Sequence, residues 1–274
     1  MGMRSDERSW WRAEGLLQVV KRTAGNQMYR HPALYSLLHR PTRLWDAPDA
    51  EQKNSATYCR QVFELLSDAC PPVGRVLEIG PGASLGVARL FAQRGHETYA
   101  LDKFPWHHSD HLEGLYEQLG VRGCVVDRCK GAAEAMPFPD GWFAFVYSNS
   151  VLEHVRDPLR VAREIARVLM PGGVTAHNVD VNDHRNYARP FEFLRVPAWA
   201  WEAMYSHKPS YQNRQRASQI ATAFRENLPV VDIVPGRTLI ADLGTPSRFC
   251  APYSQMSAEE LAVVNFFIVA RSAE

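Results

Sequence analysis

Val76-Leu-Glu-Ile-Gly80-Pro-Gly82-Ala-Ser-Leu-Gly86 is the stretch that decides the fold. Its apolar start reads as a buried strand over Arg75–Ile79, its glycines as a tight turn, and Leu85–Arg94 behind them as a helix. An acidic residue, Glu78, stands two positions before the first glycine. Twenty positions after Gly82, Asp102 ends a second short apolar run, Glu97-Thr-Tyr-Ala-Leu-Asp102. A carboxylate there, with bare backbone at a helix N-terminus, suits a nucleoside ligand. The ribose hydroxyls would meet the carboxylate, and a charged tail would meet the backbone.

Working outward, strand and helix patterns alternate. Helices are expected at Leu112–Leu119 and Leu159–Leu169, and strands at Glu97–Leu101, Gly123–Val126 and Trp142–Tyr147. Pro171-Gly-Gly173 reads as a turn into a strand over Val174–Val179. Val230–Val234 and Asn265–Ala270 would complete the sheet as an antiparallel pair. The expected fold is α/β and Rossmann-like: a mostly parallel, seven-stranded sheet with helices on both faces. Residues 1–70 read as an N-terminal helical cap, broken by Pro32, Pro41 and Pro48. Its apolar faces carry Leu16, Leu17, Val19, Val20, Leu34, Leu37 and Leu38, and Thr57–Ala69 is a further amphipathic stretch. Residues 71–274 form the second part, with a polar, aromatic and irregularly helical insertion at about 182–228 that reads as an acceptor-side lid.

Composition narrows the partners. The chain has 274 residues, 46% of them hydrophobic, enough for a full core. Its 31 basic side chains are balanced by 30 acidic ones, which argues against a global attraction to nucleic acid. No apolar run approaches a membrane span, and the start Met-Gly-Met-Arg-Ser-Asp lacks a signal-like stretch. The five cysteines, odd in number and without a Cys-x-x-Cys pair, fit a reduced cytoplasmic protein. No nucleic-acid partner and no membrane partner are therefore expected, and a homodimer is left open.

The glycine spacing is informative. Gly80-x-Gly82-x-x-x-Gly86 has its third glycine later than the Gly-x-Gly-x-x-Gly of dinucleotide folds. A carboxylate at Glu78 can accept from a cationic amine, which a pyrophosphate does not offer. With these residues the chain resembles the class I S-adenosylmethionine-dependent methyltransferases over residues 74–180. Ala133-Glu134-Ala-Met136-Pro137-Phe138-Pro-Asp140-Gly-Trp-Phe143 is similar to the family's A-E-x-L-P-F-x-D-x-x-F segment. Val151-Leu-Glu153-His154-Val-x-Asp157-Pro158 and Arg167-Val-Leu-Met-Pro171-Gly-Gly173 resemble its next two motifs. The resemblance implies S-adenosyl-L-methionine as cofactor. Gly80, Pro81 and Gly82 would admit its methionine part, Glu78 its amino group, and Asp102 its ribose. It further implies Lys103 and Phe104 beside the adenine, Met136 on the purine, and Ser148 and Asn149 along the methionine moiety. Ala132 and Ala144 stand where the family often has Asp. Asp127, at the end of its expected strand, is read as the adenine contact instead, against the alternative that it caps a turn.

Methyl transfer to an alcohol needs a base, whereas a neutral amine needs none. His177-Asn-Val-Asp180-Val-Asn-Asp183-His184 leaves the strand after Pro-Gly-Gly, so its acids and His184 fall at the strand's C-terminal mouth. His184 with Asp183 is read as the base, and His154 as a positioning group. The open alternatives are Mg²⁺ on Asp180 and Asp183, or turn-capping alone. No metal site is assigned: His107-His108-Ser-Asp110-His111 is dense in ligand types but fits no strong zinc spacing. Trp199, Trp201, Tyr211, Asn213, Arg214 and Arg216 suit a polar acceptor, with a solvated helix face as the equal alternative for the arginines. The expected activity is O-methylation of a small polar or carbohydrate-like acceptor. N-methylation and a non-catalytic cofactor-binding regulator remain as alternatives.

Overall fold

A computed structural model describes residues 16–30, 55–82, 84–103, 112–208 and 211–274 of the chain. In chain order its elements are α1 (Leu16–Tyr29), α2 (Ala56–Ser67), β1 (Arg75–Ile79), α3 (Gly86–Gln93), β2 (Glu97–Asp102), α4 (Glu113–Leu119), β3 (Asp127–Lys130), β4 (Phe143–Asn149) and α5 (Pro158–Val168). There follow β5 (Leu169–Asp180), α6 (Ala198–Tyr205), α7 (Ala217–Arg225), β6 (Val230–Pro235), α8 (Ala258–Ala262) and β7 (Asn265–Arg271). The chain divides into two compact units. One holds residues 45–179, 219–234 and 267–274, and the other residues 1–44, 180–218 and 235–266. The expected apolar positions Leu34, Leu37 and Leu38 lie outside the described residues. No described helix is long and apolar enough to cross a membrane.

The first unit is built on a seven-stranded sheet in the order β3-β2-β1-β4-β5-β7-β6. The pairs β1–β2, β1–β4, β2–β3 and β4–β5 are parallel, as short βα repeats require. Pairing reverses at β7: Gly172 N–H donates to Ala273, while at the far end Val181 N–H donates to Val264. Gly236 N–H to Asn265 O and Val264 N–H to Arg237 O run β7 against β6 in the same antiparallel sense. The mostly parallel Rossmann-like expectation therefore holds, with the late strands as its antiparallel edge.

Two strand boundaries differ from expectation. The apolar Gly123–Val126 is not a strand, and Val125 is 76% exposed. The ladder to β2 uses the polar Asp127–Lys130 instead, because β3 is an edge strand and needs no apolar alternation. Pro171-Gly-Gly173 does not precede β5 but lies inside it. Register jumps from Phe143↔Leu169 to Phe145↔Val174, so the turn residues are absorbed as a bulge.

On one face of the sheet Phe91 of α3 is the packing centre. Its ring lies 4.8 Å from Phe63, 4.9 Å from Tyr147 and 5.7 Å from Phe145. Helix α2 begins at Ser55, whose hydroxyl accepts from the Tyr58 N–H, and buries Cys59, Val62, Phe63 and Leu66 at helical spacing. Asp157 caps α5 by accepting from the Leu159 and Arg160 N–H groups, with Pro158 preset at the first helical position.

The second unit has little regular pairing and is held by side chains. Phe191, Phe193, Leu194, Trp201, Met204, Phe249, Tyr253 and Leu261 form its apolar core. Asn26 of α1 serves the C-terminus of α6: its amide donates to Ala203 O (2.9 Å) and accepts from His207 N–H (2.7 Å). Arg214 and Arg216 are neither solvated nor offered to an acceptor. Arg214 donates to Phe193 O and Val196 O, and Arg216, fully buried, donates to Val181, Leu261 and Val263 carbonyls. Carbonyls of loops and of a helix's last turn need donors, and the five-donor guanidinium fork supplies several at once.

Candidate active site

The C-terminal ends of β1, β2, β3, β4 and β5 form one row in the sheet unit. Asp102 pairs with Lys130 and Asn149 with Asn178, and Gly80 follows Ile79, which pairs with both Leu101 and Ser148. Gly80 (φ 65°) and Gly82 (φ 67°) are left-handed, so the chain can leave the strand sharply only with glycine there. A Cβ on Gly80 would stand 2.7 Å from Val151 Cγ2. The Asn178 amide donates to Asn149 Oδ1 (2.8 Å), and the Asn149 amide donates to the Tyr58 hydroxyl (2.7 Å).

Glu78 lies just inside that row, 5% exposed, in register with Tyr147. Its Oε2 has no hydrogen-bond partner. Burial pushes the carboxyl up to about 8, against the pull of the nearby Tyr147 hydroxyl and the Ala88 N–H at the start of α3. The folded chain therefore keeps a proton on Glu78 that the unfolded chain has lost, from about pH 4.5 to about pH 8. Stability should fall as pH rises through that window, by of the order of 5 kcal/mol in all. Glu78→Gln should flatten this slope in denaturant titrations at pH 5 and pH 8; an unchanged slope would remove Glu78 as its source.

Ser148 is turned the other way. Its hydroxyl is buried 2.7 Å from His177 Nδ1, and Thr175 Oγ1 lies 2.6 Å from His177 Nε2. Thr175 already donates its proton to Val146 O (2.8 Å), so it must accept from Nε2–H. His177 Nδ1 then accepts from Ser148. Burial holds this imidazole neutral, its pKa lowered to about 3. Ser148 thus belongs to a strand-to-strand link, and Asn149 carries the polar side chain of the β4 end.

The segment similar to A-E-x-L-P-F-x-D is fastened to α5. Arg167 donates to Met136 O, Phe138 O and Asp140, and pairs with Glu164 at 2.7 Å. Glu164 accepts from Met136 N–H (2.7 Å), and Glu134 from Arg156 N–H (2.8 Å). These bonds hold the buried Met136 in place, and Gly131 N–H joins the segment to Asp102 O (2.9 Å). Asp127 is not brought to this row. It opens β3 opposite Tyr99, exposed and at the far end of that ladder from Asp102, because the strand starts where it was expected to end. Lys103 follows Asp102 and is exposed; Pro81 and Gly82 are half-buried. Phe104 and His107–His111 lie outside the described residues. His154 sits in the turn after β4, its N–H bonded to Val151 O at 2.8 Å.

In the other unit, His184 and Asp183 do not pair. Asp183 is drawn to Arg185, with Oδ1 2.8 Å from Nη2 and also accepting from the Arg185 N–H. The carboxylate beside His184 is Asp180, with Nε2 3.8 Å from Oδ1, one helical-turn spacing back along the chain. Burial pushes Asp180 up, but the His184 imidazole, the Asn182 N–H and the Arg237 charge outweigh it and leave the carboxyl below its ordinary value. His184 N–H is held by Gln212 Oε1, and its ring stacks on Tyr187.

The methyltransferase-domain family matches residues 51–227. The chain belongs to this family. The class I reading and its cofactor, S-adenosylmethionine, stand. An uncharacterised methyltransferase of a Mycobacterium sp. is 29% identical over 44% of this chain and 44% of its own length. The 2-methyl-6-phytyl-1,4-hydroquinone methyltransferase of Synechocystis sp. is 28% identical over 66% of this chain and 52% of its own. The chain thus spans about half the length of the curated relatives it matches. A structure of a methyltransferase complex with the Trm112 methyltransferase activator from Haloferax volcanii superposes with TM-score 0.50 at 18% identity, covering 82% of this chain and 92% of that one. This likeness shows the fold.

The methyltransferase fold explains which site residues the motifs missed. Tyr58 reads in the sequence as one more position of an amphipathic helix, and Asn178 as a strand residue. Only the contacts of α2, β4 and β5 place both beside Asn149.

Proposed function

We propose that the chain transfers the methyl group of S-adenosylmethionine to a hydroxyl of a small polar or carbohydrate-like acceptor. The cofactor supplies a sulfonium-activated methyl for in-line displacement. The observation that carries its fit is the row at the strand ends: two left-handed glycines, the Asp102 carboxylate, and Glu78 with a buried oxygen that lacks a partner. Gly80 and Gly82 let the backbone approach the methionine part, with Pro81 between them. Glu78 receives the amino group, and a cation there would lower its pKa and release its proton. Asp102 accepts from the ribose hydroxyls, and Lys103 and Met136 border the adenine. Asn149, oriented by Asn178 and Tyr58, borders the methionine side.

The His184–Asp180 pair supports the hydroxyl acceptor. Asp180, whose carboxyl lies below its ordinary range, stands beside the imidazole and orients it, so that His184 can take a proton from an alcohol. His154 positions the acceptor.

His184→Ala and Asp180→Asn should each lower kcat by about 10²–10⁴-fold and about 10-fold respectively, with S-adenosylhomocysteine affinity unchanged. Unchanged kcat in His184→Ala would sink the base and point to an amine acceptor. Failure of the wild-type chain to bind S-adenosylmethionine at micromolar levels in calorimetry would sink the enzyme reading itself.

A further inference from the structure

In the unit that carries His184, three cations gather around one buried phenol ring. The Arg22 guanidinium, on α1, donates to the Tyr205 hydroxyl at 2.6 Å and stands 5.9 Å from the ring centroid. Arg185 Cζ lies 4.7 Å from the same centroid and 4.2 Å from that of Trp201, and Lys208 Nζ lies 5.0 Å from Tyr205. One such contact is common on a protein surface; three on one ring set like charges against one another. Among the described residues, Asp183 bonds Arg185. Arg185 Nη1 is buried without a hydrogen-bond partner, and Lys208 Nζ has no hydrogen bond or ion pair among the described residues. Burial, followed by the Arg22 and Arg185 charges, holds the Lys208 ammonium below its usual range. All three side chains are half-buried rather than spread into solvent. Such a cluster is costly unless a counter-charge joins it.

We propose that Arg22, Arg185 and Lys208 form a binding site for a phosphate or diphosphate group. Cations brought to one ring from three separate elements suit an oxyanion with several oxygens. A single carboxylate would need only one guanidinium fork. Read with the proposed function, on which this step of the argument rests, the group belongs to a phosphorylated small acceptor. The cluster shares no residue with the proposed cofactor set and can be tested without turnover.

The experiment is calorimetric titration of the full chain, at low ionic strength and with S-adenosylhomocysteine present, using inorganic pyrophosphate and then acetate. Pyrophosphate should bind with saturation and acetate at least about tenfold more weakly. Lys208→Gln and Arg22→Gln should each weaken pyrophosphate about tenfold while leaving S-adenosylhomocysteine affinity and the far-ultraviolet spectrum unchanged. The Lys208 side chain makes no bond that the fold needs, so this variant cannot fail merely by unfolding. Equal binding of the two anions, or equal pyrophosphate affinity in Lys208→Gln, overturns the site. Sedimentation of the chain with phosphatidic acid vesicles but no binding of soluble pyrophosphate would assign the cluster to a lipid surface and overturn it too. Loss of S-adenosylhomocysteine binding with pyrophosphate binding intact would instead count against the methyltransferase reading alone.

Discussion

Replacing Arg216 by methionine is expected to destabilise the unit containing it by about 3–5 kcal/mol. The guanidinium is fully buried and donates to Val181 O (2.6 Å), Leu261 O (2.7 Å) and Val263 O (2.6 Å). Burial, opposed by Tyr253, Asp180 and Glu260, pulls its pKa to about 10, still far above neutral pH, so the charge is kept and is shared among carbonyl dipoles. Methionine would fill much of the volume but would leave three buried acceptors without donors, each costing about 1–3 kcal/mol before relaxation or water entry. Arg216→Lys should recover part of the loss, since an ammonium cannot span carbonyls on both sides of the fork. The measurement is the urea midpoint at neutral pH. A loss below about 1 kcal/mol would mean that these carbonyls find water or other donors, and that the arginine is not what ties the segment after β5 to the one around α8.

The second large effect concerns the cofactor. Asp102→Ala should weaken S-adenosylhomocysteine binding about 100-fold, because two charge-assisted hydrogen bonds to vicinal hydroxyls are lost together. Asp102 is half-buried at the end of β2, and its backbone pairs with Lys130, so the ladder survives the truncation. The melting temperature should therefore move little while the affinity collapses. Asp102→Asn keeps the shape and one acceptor oxygen and should lose only about tenfold. Affinity within about threefold of wild type for Asp102→Ala would take the ribose contact away from this residue.

These two residues mark the reach of sequence reading in this chain. Asp102 was legible because its meaning is local: it closes a short apolar strand one βα unit after a Gly-x-Gly turn. Parallel strands joined by a helix must bring those two strand ends to the same edge of the sheet. Gly80 and Gly82 were legible for the same reason, since a left-handed turn directly after a strand demands glycine whatever lies beyond it. The motif Pro137-Phe138-Pro-Asp140 was legible as a pattern but not as a structure. Its acidic residue proves to be an anchor for Arg167.

Arg216 was not legible at all, and its polar neighbourhood suggested solvent or substrate. The same failure misplaced β3, where an apolar run lost to a polar one because an edge strand is chosen by its register with β2 and not by its own hydrophobicity. It also read Asp183 as the acid beside His184. Asp183 is adjacent in sequence, yet Arg185 holds it, and the turn after β5 leaves Asp180 beside the imidazole. The amino-acid sequence by itself thus determined the sheet unit, the glycine turn after its first strand and the place of Asp102 at the end of its second, all set by backbone rules acting over a few residues. Which donors meet which acceptors was decided only by the tertiary structure: Tyr58 with Asn149, Arg216 with three carbonyls, and Arg22, Arg185 and Lys208 around Tyr205. Buried charges and polar groups must each find a partner, and those partners lie in segments that chain folding, not sequence spacing, brings together.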